Sequence, residues 1–330
     1  MIISKTPYRI SFFGGGTDYP EWYLKSGGEV LSSTINKYLY LSCRHLPEFF
    51  SHRFRIVYST IELVKKIDEI NHPVVKMALK KYYKNKLGLE IHYDGDLPSR
   101  SGMGSSSVFV VGLLNILNKY MDNKIGKKKL AMQSIFFEQK LLKEVVGSQD
   151  QVAASYGGFN SIKFYQNGSF KVSNLLTSKK AQNVFFNNMY LVFTGISRYS
   201  HGVANSYVKK SNTINKNYLY EILNQVKEAK KLLKNQSFDD FGKLLHETWL
   251  VKKKLSNIVS NNQIDELYEV GRSAGALGGK LLGAGGGGFV LFYVKKENHK
   301  IFLKAFKKKV VIPIKLSNEG SEIIFNNEKK

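Results

Sequence analysis

A single cysteine, Cys43, in 330 residues excludes a disulfide within the chain and fits a reducing compartment. Long apolar runs are missing as well. No stretch approaches about 18 consecutive apolar residues, so no transmembrane helix is expected. The opening "MIISKTPYRI" lacks an extended apolar region with a cleavage site, so no signal peptide is expected either. Acidic residues number 26 against 50 basic ones, a formal charge of +24. Arginine is scarce within that surplus: only Arg9, Arg44, Arg53, Arg55, Arg100, Arg198 and Arg272, against 43 lysines. Nucleic-acid readers lean on arginine for bidentate contacts. Lysine strings such as "KKKL" and "KEAKKLLK" read instead as solvated helix faces. The expectation is a cytoplasmic protein that binds neither nucleic acid nor membrane and whose field draws an anionic small molecule. A homodimer stays open. Also absent is G-x-x-x-x-G-K-[ST]: "GGKLL" comes nearest and has no hydroxyl residue after its lysine.

What is present is enough to fold. At 43% hydrophobic and 13% aromatic, the chain can bury a sizeable core, and its length suits two domains or one large one. "KTPYRISFF" reads as an opening strand closed by "GGGTDYP". "EVLSSTINKYLYLSCRHL" reads as one long or two short strands, and "PVVKMALKKYYKNK" as a helix entered through proline. "LEIHYDGDLP" is strand-like. "SSSVFVVGLLNILNKY" is a helix apolar nearly all round, hence buried. A further helix is expected over 128–146, and a loop with a short helix in "GSQDQVAASYGG". Strands are expected in "FNSIKFY", "FKVSNLL" and "MYLVFTGIS". Three helical patterns lie between about 200 and 275, and "GGKLLGAGGGGFVLFYV" reads as strand, glycine loop, strand. "HKIFLKAFKKKVVIPIKL" closes as helix then strand. The mixture makes the class α/β or α+β. A boundary in "TSKKAQNVFFNN" divides the chain into 1–185 and 186–330.

Four motifs carry chemistry. "LPSRSGMGSSS" stands between a strand and a buried helix, where unpaired amides and the positive helix end converge on one point. Gly102 and Gly104 allow close approach of an anion, and Ser105, Ser106 and Ser107 can cap the helix or offer hydroxyls to phosphate or metal. An ordinary serine cap is the alternative. "LLGAGGGGF" matches G-x-G-x-x-G at Gly283, Gly285 and Gly288, but it runs into a strand rather than a helix, so its use is steric. In "GGGTDYPEWY", Asp18 follows three glycines at a strand end, placed for sugar hydroxyls or for an Asx-turn. Glu138 has Ala131, Ile135, Leu141, Leu142 and Val145 around it at helical offsets, so it points into the core, as half of an ion pair or as a metal ligand. Asp150 in "GSQDQ" is a loop carboxylate.

In this order, "PYRISFFGGGTDY", "LPSRSGMGSSS", "VGSQDQ" and "LLGAGGGGF" resemble the motifs of the GHMP kinases, over about residues 5 to 290. "RISFFGGGTDYPEWY" and "VGSQDQ…YGGFN" are most similar to the branch acting on D-glycero-D-manno-heptose 7-phosphate, with the fucose kinases next. The resemblance implies an N-terminal α/β domain with a left-handed βαβ crossover, a C-terminal ferredoxin-like domain, and a site between them. It implies ATP and Mg²⁺ as cofactors and phosphorylation of the anomeric O1, supplying nucleotide-activated heptose for surface polysaccharide. Ser101, Gly102, Met103, Gly104, Ser105, Ser106 and Ser107 would wrap the ATP phosphates. Ser106 and Glu138 would hold the metal. Asp150 would be the base, kept ionised by Arg9. Gly15, Gly16, Thr17, Asp18, Tyr19, Gln149, Gly285 and Gly286 would contact the sugar. The loop Gly283 to Gly288 would pack against the phosphate loop. Arg198 in "TGISRYSH", a rare arginine ending a strand, is the candidate for the substrate phosphate. Met103 stands where leucine is usual and Ser107 where alanine is common. A regulator that keeps the fold without catalysis would have lost Asp150, Glu138 or the phosphate loop, and none is lost.

Overall fold

The computed structural model describes residues 1–85, 87–99, 101–196 and 216–327. The opening strand β1 (Ile2–Phe13) pairs antiparallel with β2 (Gly28–Leu46). The second alternating stretch forms one unbroken strand of 19 residues that changes partner along its length. Its first part, Gly28 to Ser33, pairs with β6 (Phe159–Phe164), and its last part, Leu39 to Leu46, with β5 (Gly88–Gly95). Adding β3 (Phe54–Val57), β4 (Ile61–Val64), β7 (Phe170–Asn174) and β12 (Glu322–Asn326) completes an eight-stranded sheet. Its order is β12–β1–β2–β5–β3–β4, with β6 and β7 branching from β2. Among the described residues only β3 and β5 pair in parallel, connected through β4 and α2 (Pro73–Tyr82).

The apolar helix α3 (Ser105–Tyr120) is buried nearly all round, as its composition requires, and packs on β1 and β2. A Cβ at Gly112 would stand 2.9 Å from Thr6 Oγ1, so the missing side chain sets how closely helix and sheet approach. The helix expected over 128–146 does not run through. α4 (Lys127–Phe136) passes into a π-turn at Phe137–Leu141, where Leu142 N–H donates to the Phe137 carbonyl, and Lys143 then takes φ +57°. One residue inserted into the helical ladder is invisible to a 3.6-residue periodicity. The short helix α5 (Gln149–Tyr156) follows.

A second sheet of four antiparallel strands has the order β11 (Val311–Pro313), β8 (Met189–Phe193), β10 (Phe289–Val294), β9 (Ala276–Leu281). The helices α7 (Lys216–Lys234), α8 (Phe238–Leu255) and α9 (Asn262–Ser273) answer to the three helical patterns, with α8 packed on β9 and α7 on α8. The sheets divide near residue 186, but the chain end crosses back: β12 pairs with β1, Ile2 opposite Asn326. A unit 186–330 therefore lends its last strand to the first sheet. The halves share one core, in which Phe241 of α8 meets Phe12 (centroids 5.6 Å) and Phe13 (4.9 Å) edge-on. Such pairs contribute about 0.5–1.5 kcal/mol each beyond their buried area. Among the described residues no helix is long and apolar enough to cross a membrane.

Candidate active site

A cavity of about 620 Å³ opens between the two halves, within the usual range for small-molecule sites. Its floor is set by β1. The register of β1 against β2 shifts between Pro7 and Arg9, an irregularity of the kind that re-aims side chains beside active sites. Arg9 is buried, and its Nε and Nη2 donate to Asp150 Oδ1 and Oδ2, both at 2.6 Å. Its Nη1 donates to the Gly102 carbonyl at 2.8 Å. A bidentate guanidinium fixes a carboxylate in position as well as in charge. Asp150 sits in the first turn of α5 and keeps 20% side-chain exposure, toward the cavity it lines.

The phosphate-loop candidate wraps the same point. Gly104, at φ +76°, is the N-cap of α3, and no side chain caps the first turn. The serines therefore occupy the first helical positions rather than the cap, and their amides are left for another acceptor. Gly102, Gly104, Ser105, Ser106 and Ser107 line the cavity. A Cβ at Gly104 would stand 3.0 Å from Asp150 Oδ2 and 3.3 Å from Arg9 Cζ, so the loop lies directly on the ion pair. Ser105 Oγ is buried without a partner. Met103 and Ser101 lie outside the wall: the Met103 side chain is fully buried in the core, and the Ser101 carbonyl accepts from Phe289 N–H (3.2 Å).

Glu138 is fully buried, as expected, but behind the wall rather than on it. Ser107 Oγ donates to its Oε1 (3.0 Å), and Gln151 Nε2 to its Oε2 (2.5 Å). Burial raises its pKa to about 8, the Gln151 hydrogen bond opposing. The hydroxyl that joins it to the cavity is that of Ser107, not Ser106, which is exposed. Among the described residues no three His, Cys, Asp or Glu side chains form a metal cluster. Mg²⁺ in a kinase is held by one or two carboxylates completed by phosphate oxygens and water, so this donor set fits a metal that arrives with its nucleotide.

Gly15, Gly16, Asp18, Tyr19 and Gln149 line the cavity; Thr17 does not. The Thr17 hydroxyl is buried and donates to the Gly14 carbonyl (2.8 Å), which holds the turn. Asp18 accepts from Gly16 N–H (3.0 Å) and Gln149 N–H (3.3 Å), so it also pins the turn to α5. Burial and then the nearby Asp150 raise its pKa to about 6. The second glycine loop packs on the first. A Cβ at Gly283 would meet Gly102 Cα at 2.6 Å, and one at Gly288 would meet the Ser101 carbonyl oxygen at 2.2 Å. Gly285 lines the cavity, whereas Gly286 donates to the Val259 carbonyl (2.8 Å) and does not. Arg198 lies outside the described residues.

Residues not singled out by the sequence reading also form the wall. One cluster is aromatic: Tyr58, His72, Tyr93 and Phe109, with His72 stacked on Phe109 at 5.1 Å. Two lysines, Lys252 and Lys280, line the cavity as well. Helical spacing offered a signal for Lys252, which shares a face with the buried Thr248, Trp249 and Leu255. It stands in "VKKKL", where a run of lysines hides the inward one.

The model of the GHMP kinases N-terminal domain matches residues 63–158, and that of the GHMP kinases C-terminal domain matches residues 229–311. The D-glycero-alpha-D-manno-heptose 7-phosphate kinase of Campylobacter jejuni is 30% identical over 93% of both chains. The bifunctional fucokinase/GDP-fucose pyrophosphorylase of Arabidopsis thaliana is 27% identical over 88% of this chain and 29% of its own length. Among solved structures, a D-glycero-D-manno-heptose 1-phosphate kinase from Bacteriodes thetaiotaomicron superimposes with a TM-score of 0.80. It is 24% identical, with 99% of this chain and 100% of that one covered.

Proposed function

The chain belongs to the GHMP kinases, and from that premise we propose that it is a cytoplasmic sugar kinase transferring the γ-phosphoryl group of ATP to the anomeric O1 of D-glycero-D-manno-heptose 7-phosphate. The 1,7-bisphosphate formed would feed nucleotide-activated heptose into surface polysaccharide. The observation that carries the reading is the convergence on one cavity of the Arg9–Asp150 pair and the uncapped first turn of α3.

Phosphoryl transfer needs chiefly positioning and neutralisation of charge. The first-turn amides of α3 would hold the triphosphate, and the glycine loop, tight against Gly102, would close over it. The aromatic cluster of Tyr58, His72, Tyr93 and Phe109 suits the nucleotide base. Asp150, its carboxylate fixed by Arg9, would accept the proton of the sugar hydroxyl as the O1–phosphorus bond forms and the bond to the ADP leaving group breaks. Asp18, Tyr19 and Gln149 would orient the sugar. Ser106 on the wall and Glu138, reached from the cavity through the Ser107 hydroxyl, would hold Mg²⁺, Glu138 as the ionised carboxylate. The metal when bound neutralises charge on the phosphate oxygens.

The test is ATP consumption against heptose 7-phosphate, unphosphorylated mannoheptose, L-fucose, galactose and mevalonate. The highest kcat/KM is expected for heptose 7-phosphate. Free fucose or mannoheptose outperforming it would move the enzyme to another branch. No turnover with any sugar would end the kinase reading in favour of a catalytically silent nucleotide-binding regulator.

A further inference from the structure

Two lysines that the chemistry above leaves unused line the cavity beside its ion pair. Lys280, in β9, is only 4% exposed, and its Nζ donates to the Phe12 carbonyl across the two halves (2.8 Å). Lys252, in α8, donates to the carbonyls of Leu281 (2.9 Å) and Gly283 (2.6 Å), at the root of the glycine loop. Neither ammonium pairs with a carboxylate among the described residues. The nearby Asp150 is taken on both oxygens by Arg9.

An ammonium carries three N–H donors. Lys280 spends one and Lys252 two on backbone carbonyls, which leaves three unspent beside the cavity. Backbone carbonyls satisfy hydrogen bonds but do not neutralise charge, and sequestered cations without a counter-charge are costly. The cost shows in both groups: burial and then Arg9 push the Lys280 pKa down to about 7, and burial and then Lys280 push that of Lys252 well below the usual lysine value. An uncompensated, donor-rich pair that faces a cavity is built to receive an anion.

We propose that Lys252 and Lys280 form a cationic subsite for a phosphoryl dianion where the glycine loop meets the Arg9–Asp150 pair. The dianion would carry three or more acceptor oxygens for the three spare donors and two charges for the two cations. Which phosphoryl group enters rests on the kinase reading: the terminal phosphate of the nucleotide, or the phosphate already on the sugar.

The test uses the full chain with Lys252→Gln and Lys280→Gln. Glutamine keeps an N–H donor for the backbone carbonyls and removes the charge. Inorganic pyrophosphate should raise the melting temperature of the wild type, and each variant should bind it about tenfold more weakly or worse. If the nucleotide supplies the group, a non-hydrolysable ATP analogue weakens about tenfold while ADP binds as before, and turnover falls equally for phosphorylated and free heptose. If the sugar supplies it, both nucleotides bind normally and the variants lose the preference for phosphorylated over free heptose. Either pattern supports the subsite. Folded variants with unchanged pyrophosphate affinity and unchanged ratios would overturn it, leaving the lysines as ties between β9, α8 and the backbone. Should Lys280→Gln fail to fold, Lys252→Gln, at a half-buried position, decides. The pyrophosphate arm needs no turnover, so a wild type that phosphorylates no sugar sinks the kinase reading without touching this result.

Discussion

The two small-residue loops differ in composition and in purpose: residues 101–107 hold two glycines and four serines, residues 283–288 five glycines and an alanine. Residues 101–107 open a helix, and what they contribute is a set of unpartnered amides around Gly104, whose left-handed conformation takes the cap position. Residues 283–288 lead into a strand, and what they contribute is absence. Gly283 and Gly288 leave room for the backbone of Gly102 and Ser101 at distances no Cβ tolerates. The element that follows each loop, a helix or a strand, separates the loop that donates from the loop that makes way.

Substitutions can break that comparison. The largest effect is expected at the residue the first loop lies on. Asp150→Asn should lower kcat by about 10²–10⁴-fold with ATP affinity nearly unchanged, measured by steady-state kinetics and calorimetry; near-normal turnover would remove it as the base. Gly104→Ala should come next. Its Cβ presses on Asp150 and Arg9 from a φ of +76°, so turnover should fall more than tenfold while stability drops by only ~1–3 kcal/mol. Gly288→Ala should invert that balance. A Cβ 2.2 Å from the Ser101 carbonyl oxygen at φ +97° should cost upward of ~3 kcal/mol in denaturant unfolding. Equal stability losses in the two variants would erase the distinction. Gly168→Ala, at φ +81° with only Leu24 Cδ2 in ordinary contact at 3.9 Å from its Cβ, calibrates strain alone at ~1 kcal/mol.

The smallest effect is a slope with pH. Lys280 titrates near 7 when folded and near 10.5 when unfolded, so between those values the unfolded chain binds more protons. The contribution of Lys280 to stability should therefore rise with pH across that window, by at most ~1.4 kcal/mol per pH unit, and level off below about 7, where both states are protonated. Because Glu138 and Lys252 also titrate differently on folding, the slope is read as a difference: wild-type stability minus that of Lys280→Met, from denaturant unfolding, should rise between pH 7 and 9.

The pairing of Arg9 with Asp150 and the contact of the two loops were legible in the sequence only as motif order. Local pattern located each piece, and the resemblance supplied the meeting. The burial of Glu138 followed from helical offsets, but its route to the cavity through Ser107 depends on the π-turn at 137–141, which no periodicity reports. Thr17 and Met103 carry the right chemistry at the right place in the string, yet face away because the turn and the core claim them. β12 was missed because "EIIFN" is short and its partner β1 lies more than 300 residues away. Lys252 and Lys280 were hidden by abundance: where lysine is everywhere, a buried one has no local mark.

The return of β12 to the edge of β1 has a consequence for biosynthesis. β1 bears Arg9 and is made more than 300 residues before β12, its neighbour along Ile2 to Lys5. Until then the amides of that edge stand open to any extended chain nearby. A nascent polypeptide of this design therefore gains from a chaperone at that edge far more than its finished form would suggest.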